Sequence, residues 1–216
     1  MTEVIKADDP GAPEKAASVL KKGGIIIYPT ETLYGIGAVA SNEQSVSRVF
    51  EIKGRPHGKP IPVLGRDKKM LAEIVEFNEA ASSLAKKFWP GPLTLVLREK
   101  GKLPGLIAAG TGKAAVRVSA NPFVIRLFTL MDDPITSTSA NLSGSDNLLE
   151  PDYIYETFKG TVELIIDSGN IPPSKGSTVV DATAIPPVII REGDITLGDL
   201  KEFSHADSKR IQGDKV

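Results

Sequence analysis

The stretch Ile25-Ile26-Ile27-Tyr28-Pro29-Thr30-Glu31-Thr32-Leu33-Tyr34-Gly35 decides how this chain folds. Its first four residues are β-branched or aromatic and predict a short buried strand, bounded by a Gly-Gly pair before it and by Pro29 after it. Extended character then resumes from Leu33 to Val39. Because ligands of α/β proteins bind where strands end, we expect the hydroxyl groups of this break to line a crevice.

On both sides of this stretch, helical and strand patterns alternate. Helices are predicted over Pro13–Leu20, from Ser41 to about Ile52 with a capping box, and from Asn78 onward. Further strands are predicted at 61–64, 93–97, 114–118, 162–166, 178–181 and 188–191, and a last short helix at 199–203. This order predicts an α/β fold, a twisted mixed sheet with flanking helices.

The composition is that of an ordinary globular domain. The chain has 216 residues, of which 41% are hydrophobic and 25% charged. We predict a single domain over residues 1–203 and a polar, disordered tail over residues 204–216. The N-terminus lacks a signal segment, and no apolar run approaches the roughly 20 residues that span a bilayer. These features predict a cytoplasmic protein without a membrane segment.

The residue types that the chain lacks exclude several kinds of site. It has no cysteine, which excludes disulfides, thiolate metal sites and cysteine nucleophiles. Two histidines are too few for a histidine metal cage, and we predict no metal ligands from the protein. The formal net charge is −1, which argues against holding nucleic acid by overall charge. An anion site must therefore be a local concentration of Lys and Arg.

Such a concentration is found in Lys53-Gly54-Arg55-Pro56-His57-Gly58-Lys59-Pro60. The glycines and prolines keep this segment out of helix and strand. One interpretation is a loop that wraps a polyphosphate, because Arg offers paired donors and Lys a mobile charge. The other is a solvated surface loop, and composition alone leaves the two about even.

A second polar segment, Ser137-Thr138-Ser139-Ala140-Asn141-Leu142-Ser143-Gly144, follows a predicted strand. Its hydroxyl and backbone N–H groups are suited to an anion, although such turns also hydrogen-bond their own backbone. Arg117 and Arg191 end two other strands, and Ser177 precedes a third. No phosphate-binding P-loop, dinucleotide-binding glycine motif or nucleophile elbow is present, so any ATP is held by an unusual cradle.

Taken in order, these segments resemble the YrdC-like family of threonylcarbamoyl-adenylate synthases. The resemblance rests on the following residues of this sequence: 29–38 (PTETLYGIGA), 53–56 (KGRP) with 59–60 (KP), 89–94 (WPGPLT), 116–118 (VRV), 139–144 (SANLSG), 177–181 (STVVD) and 190–193 (IREG). It covers nearly the whole chain, in the short form of the family. Ser119, where the family usually has proline, and the segment around Asn147 depart from the pattern.

The resemblance implies a large, basic, concave cavity and a nucleotidyltransferase reaction. ATP, L-threonine and bicarbonate would give threonylcarbamoyl-adenylate and pyrophosphate, with Mg²⁺ bound through the triphosphate. A downstream transfer complex would then modify a tRNA adenosine. The resemblance leaves contact with tRNA or double-stranded RNA open.

The family's site residues are carried over position by position. Those assigned to ATP are Arg55, Lys59, Lys113, Ser139, Asn147 and Arg191. Those assigned to threonine are Thr32, Leu64, Arg117, Ser137 and Ser177. Lys53 and Arg55 form the family's Lys-x-Arg signature and are the predicted catalytic residues.

Two other functions are weighed against this one. A non-catalytic RNA-binding module could use the basic cavity, but the net charge and the scarcity of aromatics count against it. A carbamoyltransferase of the hydrogenase-maturation type would share the domain and form carbamoyl-adenylate. That class carries zinc-finger and acylphosphatase-like modules, for which this chain has neither cysteines nor room.

Overall fold

The computed structural model describes residues 1–201 and residue 203, so the predicted tail over 204–216 lies outside the described residues. In chain order the elements are β1 (Glu3–Lys6), α1 (Ala12–Lys21), β2 (Ile26–Pro29), β3 (Tyr34–Gly37), α2 (Glu43–Lys53), β4 (Val63–Leu64), α3 (Lys68–Ala72), α4 (Glu79–Phe88), β5 (Leu93–Arg98), α5 (Gly105–Ala108), β6 (Lys113–Arg117), α6 (Pro122–Phe128), β7 (Ile135–Thr136), β8 (Thr138–Ser139), α7 (Pro151–Phe158), β9 (Leu164–Asp167), β10 (Thr178–Asp181) and β11 (Val188–Arg191). None of the helices in this part of the chain has the length and apolar character needed to cross a membrane.

The strands divide between two mixed sheets, where the sequence predicts one. The first has the order β1-β9-β2-β3-β8, and the second has the order β11-β10-β5-β6-β4-β7. In the first sheet, β2 and β3 form an antiparallel hairpin in which Tyr28 lies opposite Gly35. The predicted α/β class is confirmed. Pro29, where the sequence predicts a break, is the last residue of β2, and the turn of this hairpin is formed by residues 30–33.

Both faces of the first sheet are buried, which explains the unbroken apolar run at its centre. Ile25 and Ile27 pack into one hydrophobic cluster, while Ile26 and Tyr28 pack into another on the opposite face. All four are fully buried, and burial of a side chain of this size stabilises the fold by about 1.5–3 kcal/mol. The turn that follows is therefore anchored on a rigid strand.

The second sheet carries the charged side chains of β6 on one face. Along β6, Ala114 and Val116 are buried in the core cluster. Because side chains alternate along a strand, Lys113, Ala115 and Arg117 share the opposite face. This face, with the turn after β2 at its edge, supports the candidate site.

Some elements differ from the sequence-based predictions. The strand β1 and the helix α7 have no counterpart among them. The helix expected at 199–203 is wrong for the described residues, which form turns: the N–H groups of Asp199 and Leu200 bond to carbonyls three residues earlier, at 3.1 and 3.3 Å, and not four. The cap of α2 is Asn42, whose side chain accepts from the Ser45 N–H at 3.0 Å, one residue after the predicted Ser41.

Candidate functional site

A cavity of about 210 Å³ lies between the two sheets. Its lining includes the turn after β2, the strand β8, and residues at the ends of β6 and β11 in the second sheet. It brings together eight of the twelve predicted site residues: Thr32, Arg55, Arg117, Ser137, Ser139, Asn147, Ser177 and Arg191. The other four, Lys53, Lys59, Leu64 and Lys113, do not line it. Segments far apart in sequence thus converge, as the strand-end arrangement predicts.

The turn after β2 is fixed by the side chain of Thr30. Its hydroxyl accepts from the backbone N–H groups of Thr32 and Leu33 at 3.2 and 3.1 Å and donates to the Leu33 carbonyl at 2.6 Å. A hydroxyl that closes a turn in this way restricts the backbone to one conformation. The turn consequently holds the Thr32 hydroxyl in the cavity wall, 3.1 Å from the Thr30 hydroxyl.

Arg117, at the end of β6, is almost fully buried, with 6% of its surface exposed. Its Nη1 donates to Glu31 Oε1 and to Thr32 Oγ1, each at 3.2 Å. The second oxygen of Glu31, Oε2, accepts from the hydroxyl of Ser119. The positive charge of Arg117 therefore has its counter-charge within the protein.

The polar segment after β7 is held from below by Lys53. The Lys53 ammonium donates to the backbone carbonyls of Ser139 and Asn141, the latter at 2.7 Å, and to Asn141 Oδ1 at 3.3 Å. Lys53 is 2% exposed, and burial lowers its pKa to about 7, with a further contribution from nearby Arg55. The predicted catalytic lysine is thus placed under the turn that presents Ser139, not in the cavity wall.

Within the cationic loop, Arg55 is the residue that reaches the cavity. Its Nε donates to the Lys59 carbonyl at 3.1 Å and its Nη2 to the Pro60 carbonyl at 2.8 Å, so the loop closes around the guanidinium. Gly54 ends α2 with a φ of +57°, a conformation that favours glycine and turns the chain toward the cavity. Burial lowers the pKa of Arg55. The side chain of Lys59 is half-buried and lies outside the lining.

Arg191 and Ser177 meet at the end of the second sheet. Arg191 Nη2 donates to the Ser177 carbonyl at 2.7 Å and approaches its hydroxyl at 3.4 Å. The Ser177 hydroxyl also accepts from Thr94 at 2.8 Å. These contacts fix both predicted residues at one wall of the cavity.

Two predicted residues belong to the surroundings of the cavity. Lys113 shares a face of β6 with Arg117 but stands at the other end of the strand, about 13 Å away at roughly 3.3 Å per residue. Its ammonium is paired with Asp181 Oδ2 at 2.8 Å. Leu64 lies beside Arg117 in register, and its side chain is fully buried in the core.

Two charged residues of the site were not predicted from the sequence. Lys175 lines the cavity, and its ammonium has no carboxylate partner among the described residues. Its position two residues before the predicted site residue Ser177 is the feature of the sequence that could have indicated it. Glu31 lies in the turn after β2, and nothing in the sequence indicates that it contacts Arg117.

The described residues contain no group of three or more His, Asp or Glu side chains that could hold a metal ion. Three cations of the lining, Arg55, Arg191 and Lys175, have no ion-pair partner among these residues. The cavity as described is consequently suited to an anion with several charges.

Comparisons with known proteins show what this chain is similar to. The family model Sua5_yciO_yrdC, described as telomere recombination, matches residues 18–193. Threonylcarbamoyl-AMP synthase of Pyrococcus abyssi is 39% identical over 188 residues, covering 87% of this chain and 55% of the relative. Threonylcarbamoyl-AMP synthase of Bacillus subtilis is 34% identical over 198 residues, covering 91% of this chain and 57% of the relative. This chain thus spans little more than half the length of these two relatives.

A solved structure supports the same relationship. The crystal structure of P. abyssi Sua5 complexed with L-threonine superposes with a TM-score of 0.88 at 36% identity, covering 94% of this chain and 60% of that one.

Proposed function

The chain belongs to the Sua5/YciO/YrdC family, and on this basis we propose that it is a threonylcarbamoyl-AMP synthase. The threonine ammonium group first gives up a proton, and the resulting amine combines with bicarbonate to form a carbamate with loss of one water molecule. A carbamate oxygen then attacks the α-phosphorus of ATP while the bond to the β-phosphate oxygen breaks. The products are threonylcarbamoyl-AMP and pyrophosphate.

The charge arrangement of the cavity is the observation that carries this proposal. Arg117 is neutralised by Glu31, which suits a zwitterionic amino acid whose carboxylate needs a guanidinium but which carries no net charge. Arg55, Arg191 and Lys175 lack such partners among the described residues, which suits a triphosphate. Transfer of a phosphorus group from ATP is accelerated mainly by positioning and by charge stabilisation, so cations matter more here than a general base.

The size of the cavity indicates how the two substrates would share it. A volume of about 210 Å³ is below the roughly 300–1,000 Å³ of sites that enclose a whole cofactor-sized ligand. Threonine and the phosphates would fill it, and the nucleoside would extend along the open face of the second sheet toward Lys113. Lys113 would then exchange its contact with Asp181 for one with the nucleotide.

Lys53 is a positioning residue in this proposal. Its three contacts hold the turn of Ser139 and Asn141, so it would act on ATP through the Ser139 hydroxyl and backbone. Arg55 keeps the role of a direct phosphate ligand. Mg²⁺ would be carried by the triphosphate, since the described residues offer no acidic or histidine cluster for it.

The threonylcarbamoyl group of the product would pass to a tRNA adenosine through a separate transfer complex. Because both ATP and the tRNA acceptor are found in the cytoplasm, we propose that the protein acts there. Neither the RNA-binding nor the carbamoyltransferase alternative is favoured by the relatives, which are named threonylcarbamoyl-AMP synthases.

The test is pyrophosphate release from ATP and bicarbonate with each amino acid added in turn. We expect threonine to give turnover and mass spectrometry to detect threonylcarbamoyl-AMP. Turnover with carbamoyl phosphate in place of threonine would instead support the carbamoyltransferase. RNA binding without pyrophosphate release would support the binding module.

A further inference from the structure

Glu31 contacts a cation of the cavity without lining the cavity itself. Its side chain is 18% exposed and that of Arg117 is 7% exposed, so the pair is largely removed from water. The attraction between such charges is strong, but removal of one partner leaves the other charge buried and uncompensated. The state of Arg117 therefore depends on Glu31.

The contacts of Arg117 use only one edge of its guanidinium. Within the described residues, its side-chain hydrogen bonds to Glu31 and Thr32 both come from Nη1. A guanidinium has five N–H donors in a fixed fork, and the Nε–H and one Nη2–H form a parallel pair that matches a carboxylate. That pair is left for a ligand, and the Nη1 contacts determine its orientation.

Ser119 fixes Glu31 in turn. The Ser119 hydroxyl oxygen accepts from the Asn121 backbone N–H at 3.2 Å, so its single proton is directed to Glu31 Oε2. Ser119 is 2% exposed, and Asn121 caps α6 by accepting from the Phe123 N–H at 2.9 Å. A continuous set of hydrogen bonds thus runs from the start of α6 through Ser119 and Glu31 to Arg117.

We propose that Glu31, held by Ser119, is a positioning residue that orients Arg117 for the carboxylate of the amino-acid substrate. This inference rests on the proposed function, since it takes the amino acid to bind at Arg117. Glu31 would not touch the substrate. It would keep the Nε and Nη2 donors pointed into the cavity and lower the tendency of the guanidinium to turn toward solvent.

Glu31→Gln tests the proposal with little change in shape. The amide retains one acceptor oxygen but removes the negative charge, and its NH₂ group faces one of the two former donors. Loss of a hydrogen bond to a charged group corresponds to a change in affinity of about tenfold to a hundredfold. We expect the KM for threonine to rise by about that factor, with the KM for ATP changed by less than about twofold.

Ser119→Ala is the milder second variant. It should raise the threonine KM by a smaller factor and should add nothing in a Glu31→Gln background, because Ser119 acts through Glu31. Glu51→Gln, on the exposed side of α2, is the matched control and should behave as the unchanged protein. An unchanged threonine KM in Glu31→Gln, or equal increases for threonine and ATP with a lower Tm, would overturn the proposal.

A readout without turnover separates this inference from the proposed function. The Arg117 Nε–H resonance, assigned by its loss in Arg117→Lys, should be a single sharp line in the unchanged protein and broadened in Glu31→Gln, where the guanidinium is no longer held in one orientation. If the unchanged protein shows no threonine-dependent turnover, the proposed function fails, and this resonance still decides whether Glu31 orients Arg117. An unaltered resonance in Glu31→Gln would show that it does not.

Discussion

The ammonium of Lys53 lies 2.7 Å from the backbone oxygen of Asn141, beneath the turn that presents Ser139 to the cavity. Lys53 ends α2, and Asn141 follows β8, so one side chain joins two distant segments of the chain. The position of the Ser139 hydroxyl therefore depends on whether this lysine keeps its proton and its three contacts.

The first prediction concerns the stability of the fold as a function of pH. Burial lowers the pKa of Lys53 to about 7, while the unfolded chain keeps the ordinary, higher value. Between these two values the unfolded chain binds more protons, so the free energy of unfolding should rise with pH, by up to about 1.4 kcal/mol per pH unit. Urea unfolding from pH 7.5 to 9.5 should show this rise, and Lys53→Met should lack it. Parallel slopes would mean that the three oxygen acceptors keep the ammonium charged throughout.

The second prediction separates the two cations of the loop after α2. Arg55 lines the cavity and Lys59 does not, so Arg55→Ala should weaken ATP binding by about 1.5–3 kcal/mol and Lys59→Ala by less than about 0.5 kcal/mol. Calorimetry with a non-hydrolysable ATP analogue measures both. Equal losses would indicate that Lys59 moves into the site when nucleotide binds.

The sequence predicted residues 53–60 as one cationic loop, but the structure places its three cations in three different environments. Lys53 is buried beneath the turn of Ser139 and Asn141, Arg55 lines the cavity, and Lys59 does not. Charge counting finds the segment, because three cations in a nearly neutral chain stand out. Side-chain direction depends instead on the end of α2 and on Gly54 with its φ of +57°, which no count of charges provides.

The third prediction concerns Lys175, which only the structure assigns to the site. Lys175→Gln should raise the KM for ATP several-fold and reduce its dependence on salt, because one uncompensated charge facing the phosphates is removed. Lys22→Gln is the control, because it changes the net charge by the same amount at the exposed end of α1, away from the cavity. Steady-state assays at low and high salt compare the two, and equal behaviour would exclude a local role for Lys175.

Long-range pairing explains the elements that the sequence did not reveal. The strand β1 forms because Glu3–Lys6 pairs in parallel with Leu164–Asp167. Nothing in the sequence of residues 3–6 indicates this pairing. The hairpin around Thr30, in contrast, is local, and its apolar strand and polar turn were predicted closely. The same distinction holds at the site. Arg117 could be predicted because it ends a strand that is recognisable locally, whereas the contact of Glu31 with Arg117 joins distant parts of the chain and could not be predicted.

The last prediction concerns Arg117→Lys and Ser177→Ala, both assigned to threonine. Lysine retains a positive charge but not the planar fork, so it cannot pair with Glu31 and Thr32 and still offer two parallel donors to a carboxylate. We expect the threonine KM to rise by the equivalent of about 1–3 kcal/mol, with ATP binding nearly intact. Ser177→Ala should have a smaller effect, because its hydroxyl accepts from Thr94 at 2.8 Å and its carbonyl still holds Arg191 at 2.7 Å. Pyrophosphate release at varied threonine and saturating ATP is the measurement. If both variants leave the threonine KM unchanged, these residues serve the fold or the nucleotide, and the amino acid binds elsewhere in the cavity.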